Sequence, residues 1–155
     1  MKAGFVFFLW LLLFEGFDCD CRDGWVKHGA SCYYFSHDTE TWIGATQICK
    51  ALQGSLVTIE SQQENDFLTS QIHTLKQEWY WIALCNLENE GTWVWMGEGK
   101  STPAVYTTWD HGEPNNSDGN ENCGILRKTS HWNDDVCHKP GVFICEKQDE
   151  MEIIG

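Results

Sequence analysis

Between residues 42 and 52 the apolar side chains Trp42, Ala45, Ile48, Cys49 and Leu52 recur at steps of three, three, one and three. That spacing gathers them on one stripe of a helix, and Gly54 just beyond the stripe predicts its stop. A second helix is predicted from Ser61-Gln62-Gln63-Glu64, a capping-box pattern that precedes Phe67, Leu68, Ile72 and Leu75. Other apolar runs are shorter and rich in β-branched and aromatic residues. They predict strands at residues 32–36, 56–59, 79–84, 92–96, 123–126 and 142–146. Residues 98–122 have no sustained period and are rich in Gly, Pro, Asn, Ser and Asp. A loop of that length in a compact domain is usually functional or disordered.

The ends read differently from the middle. Lys2 is followed by the apolar run Phe5-Val6-Phe7-Phe8-Leu9-Trp10-Leu11-Leu12-Leu13-Phe14. A bilayer needs about 20 such residues, so the run is too short to span one and fits a secretory signal peptide instead. We assign residues 1–18 to that signal; Gly16 is the best small residue near a poorly marked cut. No second apolar run follows, so the expectation is a secreted, extracellular protein without a membrane anchor. Residues 19–147 then form one domain, and residues 148–155 a short acidic, frayed tail.

Eight cysteines in such a chain point to disulfides. A zinc cluster fits poorly, because Cys19-x-Cys21 is too tight and the other cysteines are dispersed. The net charge of −13 argues against nucleic acid and is compatible with cations. Nine tryptophans demand a large buried aromatic area. Trp79, Trp81, Trp93, Trp95 and Trp132 alternate as core strand residues do, while Trp109 lies in the long loop.

The densest set of oxygen-bearing side chains is Glu113-Pro114-Asn115, Glu121 and Asn133-Asp134. Three carboxylates and two amides suit a hard cation such as Ca2+, which takes six to eight oxygens, better than zinc. An X-Pro bond is where a cis peptide costs only about 0.5–1 kcal/mol. A cis Glu113-Pro114 bond would turn its two flanking side chains toward one point. A polar surface loop without a ligand would share this composition.

Glu113-Pro114-Asn115 and Trp132-Asn133-Asp134 resemble the two signature motifs of C-type lectin domains. Trp81-Ile82-Ala83-Leu84 is similar to that family's Trp-Ile-Gly-Leu motif, with one residue changed. The resemblance runs from about Cys21 to Lys147. It implies an α+β, C-type lectin-like fold, with two helices flanking small antiparallel sheets and a long calcium-binding loop. It implies the disulfides Cys21–Cys32, Cys49–Cys145 and Cys123–Cys137, and a calcium-dependent carbohydrate-binding site made by Glu113, Asn115, Glu121, Asn133 and Asp134. The order acid-Pro-amide implies mannose-type preference: glycans with equatorial vicinal diols, as in mannose, fucose and N-acetylglucosamine. Many members hold a second calcium, for which the matching residues are Asn86, Glu90, Asn116 and Asn122 beside Glu121. Three of these four are amides, so one strong ion is expected. Soluble relatives are often associated with innate immune pattern recognition.

Several features depart from the pattern. Asn115-Asn116-Ser117 is a glycosylation sequon, and the lectin reading requires Asn115 to stay unmodified. Cys85 stands where a small polar residue is usual. With three bridges assigned, Cys19 and Cys85 are left to pair within the chain, to link a homo-oligomer, or, for Cys85, to stay a buried thiol. His111 and His131 flank the ligand motifs, where protonation would favour release of the ion in acid. No nucleophile with a base and no phosphate loop is present, so the chain is not expected to be an enzyme. Glu113 and Glu121 as a glycosidase pair are disfavoured by their amide neighbours. The competing function is a non-sugar C-type lectin-like protein that binds calcium, a mineral surface or a basic protein.

Overall fold

The computed structural model describes residues 21–97 and 99–148. The signal segment, Cys19 and residues 149–155 lie outside the described residues. In chain order the elements are β1 (Val26–His28), β2 (Ser31–Phe35), α1 (Trp42–Ala51), β3 (Ser55–Leu56), α2 (Gln62–Leu75), β4 (Trp79–Cys85), β5 (Val94–Met96), β6 (Ser101–Pro103), β7 (Cys123–Arg127), β8 (Trp132–Asp135) and β9 (Ile144–Gln148). They form two antiparallel sheets, β1-β2-β9-β3 and β6-β5-β4-β7-β8. The architecture is the expected α+β arrangement of two helices and two small sheets.

Both helices start where the sequence places them. Thr41 Oγ1 accepts the Gly44 N–H at 3.1 Å, and Ser61 Oγ accepts the Glu64 N–H at 3.2 Å. The reciprocal half of the capping box is displaced by one residue: Glu64 Oε2 accepts the Glu60 N–H, not that of Ser61. Gly54 is not the left-handed stop; Gln53 takes that conformation with φ 65°. Gly54 is needed for close approach, since a Cβ there would lie 2.4 Å from the Glu146 carbonyl oxygen. Gly54→Ala should therefore push α1 and β9 apart and cost about 1–3 kcal/mol, read as a thermal midpoint lowered by several degrees. An unchanged midpoint would show that β9 yields freely.

The core is aromatic. Trp42, Trp81, Trp132, Tyr80 and Phe143 are each almost wholly buried. Trp42 Nε1 donates to the Ile82 carbonyl at 2.8 Å, which satisfies its one polar atom. β4 reads as a continuous apolar run because Tyr80 to Cys85 are buried on both faces. Cys21–Cys32, Cys49–Cys145 and Cys123–Cys137 are all bonded. The second of these ties α1 to β9.

Four expectations are corrected. β1, β6 and β8 were not expected as strands; β6 pairs with β5 inside the segment read as loop, where a single 3-10 turn also spans Ser117–Gly119. β3 spans only Ser55–Leu56. Gln148 does not fray but pairs with Ser31 at the end of β9. Cys85 is an unpaired thiol with no exposed surface, so it cannot reach a second copy of the chain from the folded state.

Between α2 and the first sheet lies a network of half-buried acids. Glu146 accepts from Ser31 Oγ at 2.8 Å and from Thr58 Oγ1 at 3.3 Å. Tyr33 donates its hydroxyl to Glu64 at 2.7 Å. Burial pushes the Glu146 carboxyl above its ordinary value of 4.5, the Ser31 hydroxyl opposing and the Glu64 charge reinforcing it. The folded state then binds the extra proton, so this group's contribution is present at acid pH and is lost as pH rises above that value. The stability of wild type minus Glu146→Gln should accordingly increase as pH is lowered from neutrality; a pH-independent difference in melting temperature would refute it.

Candidate functional site

The site is built where the long loop returns to the second sheet. Its ascending arm is bound to β8 by backbone: Trp132 N–H donates to the Thr108 carbonyl and Asp110 N–H to the Trp132 carbonyl, both at 2.8 Å. Asp110 then shapes the turn. Its carbonyl accepts the Glu113 N–H at 3.0 Å, and its carboxylate accepts the His111 N–H at 2.8 Å. Asp110 was not singled out from sequence; Asp-His-Gly before Glu113 is the turn signal that could have found it.

The Glu113-Pro114 peptide is cis, as expected. Asn115 Nδ2 donates to Glu113 Oε1 at 2.9 Å, so the two flanking side chains do meet. This nitrogen is also the atom that a glycan on the sequon would occupy. Asp134 has no exposed surface and accepts two backbone donors, Asn115 N–H at 3.1 Å on Oδ1 and Asn116 N–H at 2.7 Å on Oδ2. Glu121 Oε2 accepts the Ser117 N–H at 2.9 Å, and the Glu121 N–H donates to Asn116 Oδ1 at 3.0 Å. Asn116 holds its left-handed backbone at φ 45°, which asparagine tolerates better than most residues.

Glu113, Asn115 and Asp134 are thus in direct contact, and Glu121 joins them through Asn116. Asn133 lies beside Asp134 on β8, but its amide donates to the Asp134 carbonyl, and no hydrogen bond ties it to Glu113 or Asn115. Of the second expected set, Glu90 Oε1 receives Asn116 Nδ2 at 2.9 Å and Asn86 Nδ2 at 3.3 Å. Asn122 contributes its backbone carbonyl to the Asn86 N–H at 3.1 Å. His111 and His131 are exposed at the rim. Of the tryptophans, Trp81, Trp95 and Trp132 are buried, while Trp79, Trp93 and Trp109 are partly buried against the core.

The electrostatics favour a positive guest. Burial, the facing Asp134 oxygen and the Asp134 charge push the Glu113 carboxyl up, with Asn115 opposing. Burial also pushes Glu121 up; the Ser117 N–H counters it, and the charges of Asp134 and Asp135 add to it. Glu113 Oε2 is buried with no hydrogen-bond partner, and so is Asn86 Oδ1. Native proteins rarely leave such atoms orphaned. Among the described residues no three His, Cys, Asp or Glu side chains cluster to hold a metal. A cation here would therefore depend on amide and backbone oxygens beside the acids, the mixed donor set of Ca2+. On those two observations the residues fit that ion.

Residues 38–147 match the Lectin C-type domain family. The chain belongs to the C-type lectin domain family. The family match begins at residue 38, whereas the strand pairing draws β1 and β2 into the same sheet as β9. The domain is 37% identical over 149 residues to the low affinity immunoglobulin epsilon Fc receptor of Mus musculus, covering 94% of this chain and 43% of that protein. It is 35% identical over 131 residues to a perlucin-like protein of Mytilus galloprovincialis, covering 81% of this chain and 82% of that one. Among solved structures it is similar to the cow C-type carbohydrate-recognition domain of CD23 crystallised in the presence of GlcNAc2Man3 oligosaccharide. That likeness has a TM-score of 0.75 and 34% identity, covering 83% of this chain and 96% of that one. The chain spans less than half the length of the mouse receptor. No helix among the described residues is long and apolar enough to cross a membrane.

Proposed function

We propose that this C-type lectin domain is a secreted, calcium-dependent carbohydrate-binding protein of mannose type, without catalytic activity. The observation that carries the reading is the orphaned Glu113 Oε2, buried beside Asp134 while Oε1 holds Asn115. Glu113, Asn115, Glu121, Asn133 and Asp134 would hold the ion. Bound there, Ca2+ supplies coordination to two neighbouring sugar hydroxyls. A hydroxyl has one proton and two lone pairs. The carboxylates of Glu113 and Glu121 can take the protons, and the amides of Asn115 and Asn133 can donate to the remaining lone pairs. Equatorial vicinal diols suit that order of acid and amide, and the cow CD23 domain crystallised with a mannose-containing oligosaccharide supports the same ligand class. The expected affinity of a single shallow site is about 1 mM, so useful binding needs several sites.

One strong ion is expected. Glu90 already receives two amide donors, and the acid it supplies is the one carboxylate special to the second set, although Asn86 Oδ1 stays buried without a partner. Catalysis is disfavoured because Asp134 and Glu121 are held by backbone N–H groups and Glu113 Oε1 by an amide. No side chain here is poised as a nucleophile next to a base.

The test is retention on immobilised mannose. The protein should bind with Ca2+ and elute with a chelator, and Glu113→Gln with Asn115→Asp should reverse the preference between mannose and galactose by about tenfold in inhibitory concentration. Elution by salt alone would favour the competing charged-surface role, to which a net charge of −13 lends support.

A further inference from the structure

We propose that Cys85, Cys123 and Cys137 form an internal thiol–disulfide relay, in which the bond held by Cys123 can pass from Cys137 to Cys85. β4 and β7 pair antiparallel with Cys85 directly opposite Cys123. The next pair along is hydrogen-bonded, because Asn86 N–H donates to the Asn122 carbonyl at 3.1 Å. Opposed pairs alternate between bonded and non-bonded, so Cys85 and Cys123 occupy a non-hydrogen-bonded position. There the α-carbons of opposed residues lie about 4.5 Å apart and both side chains leave the same face of the sheet. Disulfides span α-carbon separations of roughly 4.4–6.8 Å, so this position lies within reach of one, just past the irregularity in the ladder between Trp81 and Cys85. Both residues have no exposed surface. Cys123 is meanwhile bonded to Cys137 across 5.2 Å between α-carbons. Of the other two bridges, Cys32 and Cys145 lie in the other sheet, Cys49 on α1 and Cys21 ahead of β1, away from this ladder.

The exchange needs no outside oxidant or reductant. The Cys85 thiol gives up its proton, and its thiolate attacks Cys123 Sγ. The Cys85–Cys123 bond forms as the Cys123–Cys137 bond breaks. Cys137 leaves as a thiolate and takes up a proton. The product frees Cys137, which lies two residues past the end of β8. The strand carrying Asn133 and Asp134 then keeps its ladder to β7 but loses its crosslink. Any effect of this on ion binding rests on the function proposed above; the relay itself does not.

The test uses the full secreted chain, held at pH ~7, ~8 and ~9, quenched in acid, unfolded, alkylated with N-ethylmaleimide and mapped by mass spectrometry after non-reducing digestion. Label on Cys137 and a Cys85–Cys123 linked peptide should accumulate with time. Free thiol on Cys85 alone at every pH would overturn the proposal. Cys85→Ser should abolish label on Cys137. Cys137→Ser, oxidised during folding, should contain the Cys85–Cys123 crosslink, and finding both as free thiols would also overturn it. The readout is indifferent to calcium, so a protein that binds no ion but gives this labelling pattern would sink the lectin reading and leave the relay standing.

Discussion

Asp134→Ala is expected to lower calcium affinity by on the order of 100-fold and to abolish retention on mannose. Two losses combine. The carboxylate is one of three acids in the proposed ligand set. It is also the anchor of the loop, since its two oxygens hold the N–H groups of Asn115 and Asn116 at 3.1 and 2.7 Å. Removing a fully buried acceptor leaves those donors without their partner, at about 1–3 kcal/mol each where water cannot replace it. The Glu113–Asn115 contact would then have no fixed backbone beneath it. Asp134→Asn is the informative companion. It keeps the volume but must turn a donor toward one of two donors, so it should lose affinity for the ion nearly as fully while costing less stability. Calorimetric titration with Ca2+, beside melting curves taken in chelator, separates the two losses. An Asp134→Ala protein that still binds Ca2+ within threefold of wild type would rule out this position as a ligand and anchor.

The reason the ligand residues could be named from sequence, while the grip of Asp134 on the loop backbone could not, is physical. Helices α1 and α2 were legible because a 3.6-residue period and a cap are local properties of the chain. β4 was legible because a strand covered on both faces must be apolar throughout. β1, β6 and β8 escaped because short edge or loop-borne strands need no alternation. Trp132-Asn133-Asp134-Asp135 shows only one apolar side chain, and its strand character comes from pairing with β7. Gly54 was read by its commonest use as a stop, yet its real constraint is the backbone of residue Glu146, which lies 92 positions away (146 minus 54) and leaves no local trace.

The site divides along the same line. Which residues carry oxygen is written in the chain, and two motifs announced four of the five, with Glu121 outside both. How they are arranged is not. The Asn116 amide bridge onto Glu90 and the grip of Asp134 on the Asn115 and Asn116 N–H groups depend on hydrogen bonds between segments far apart in sequence. The thiol at Cys85 was visible as an odd cysteine, but its burial opposite Cys123 follows only from strand register.

Trp132→Ala should be the most destabilising single substitution in the second sheet, at about 3–5 kcal/mol. The indole has no exposed surface and packs edge-on against Trp95, Tyr106 and Trp109 at centroid separations of 5.4, 5.6 and 6.0 Å. Its ring nitrogen donates to Asn65 Oδ1 at 2.8 Å, and Asn65 Nδ2 donates onward to the Ser130 carbonyl at 2.9 Å. Its backbone carries both hydrogen bonds that moor the loop to β8. The same residue therefore supports the core and the arm that presents Glu113. For a domain of this size the expected fall in melting temperature is about 10–20 °C. Trp132→Phe distinguishes packing from the polar link. It keeps most of the ring but orphans Asn65 Oδ1, and should cost about 2–3 kcal/mol. Adding Asn65→Leu to Trp132→Phe removes the orphan, so the double variant should recover part of that loss instead of adding to it. Strict additivity of the two substitutions in chemical denaturation would show that the indole–amide bond contributes nothing, and would leave ring packing alone as the means by which Trp132 holds the loop in place.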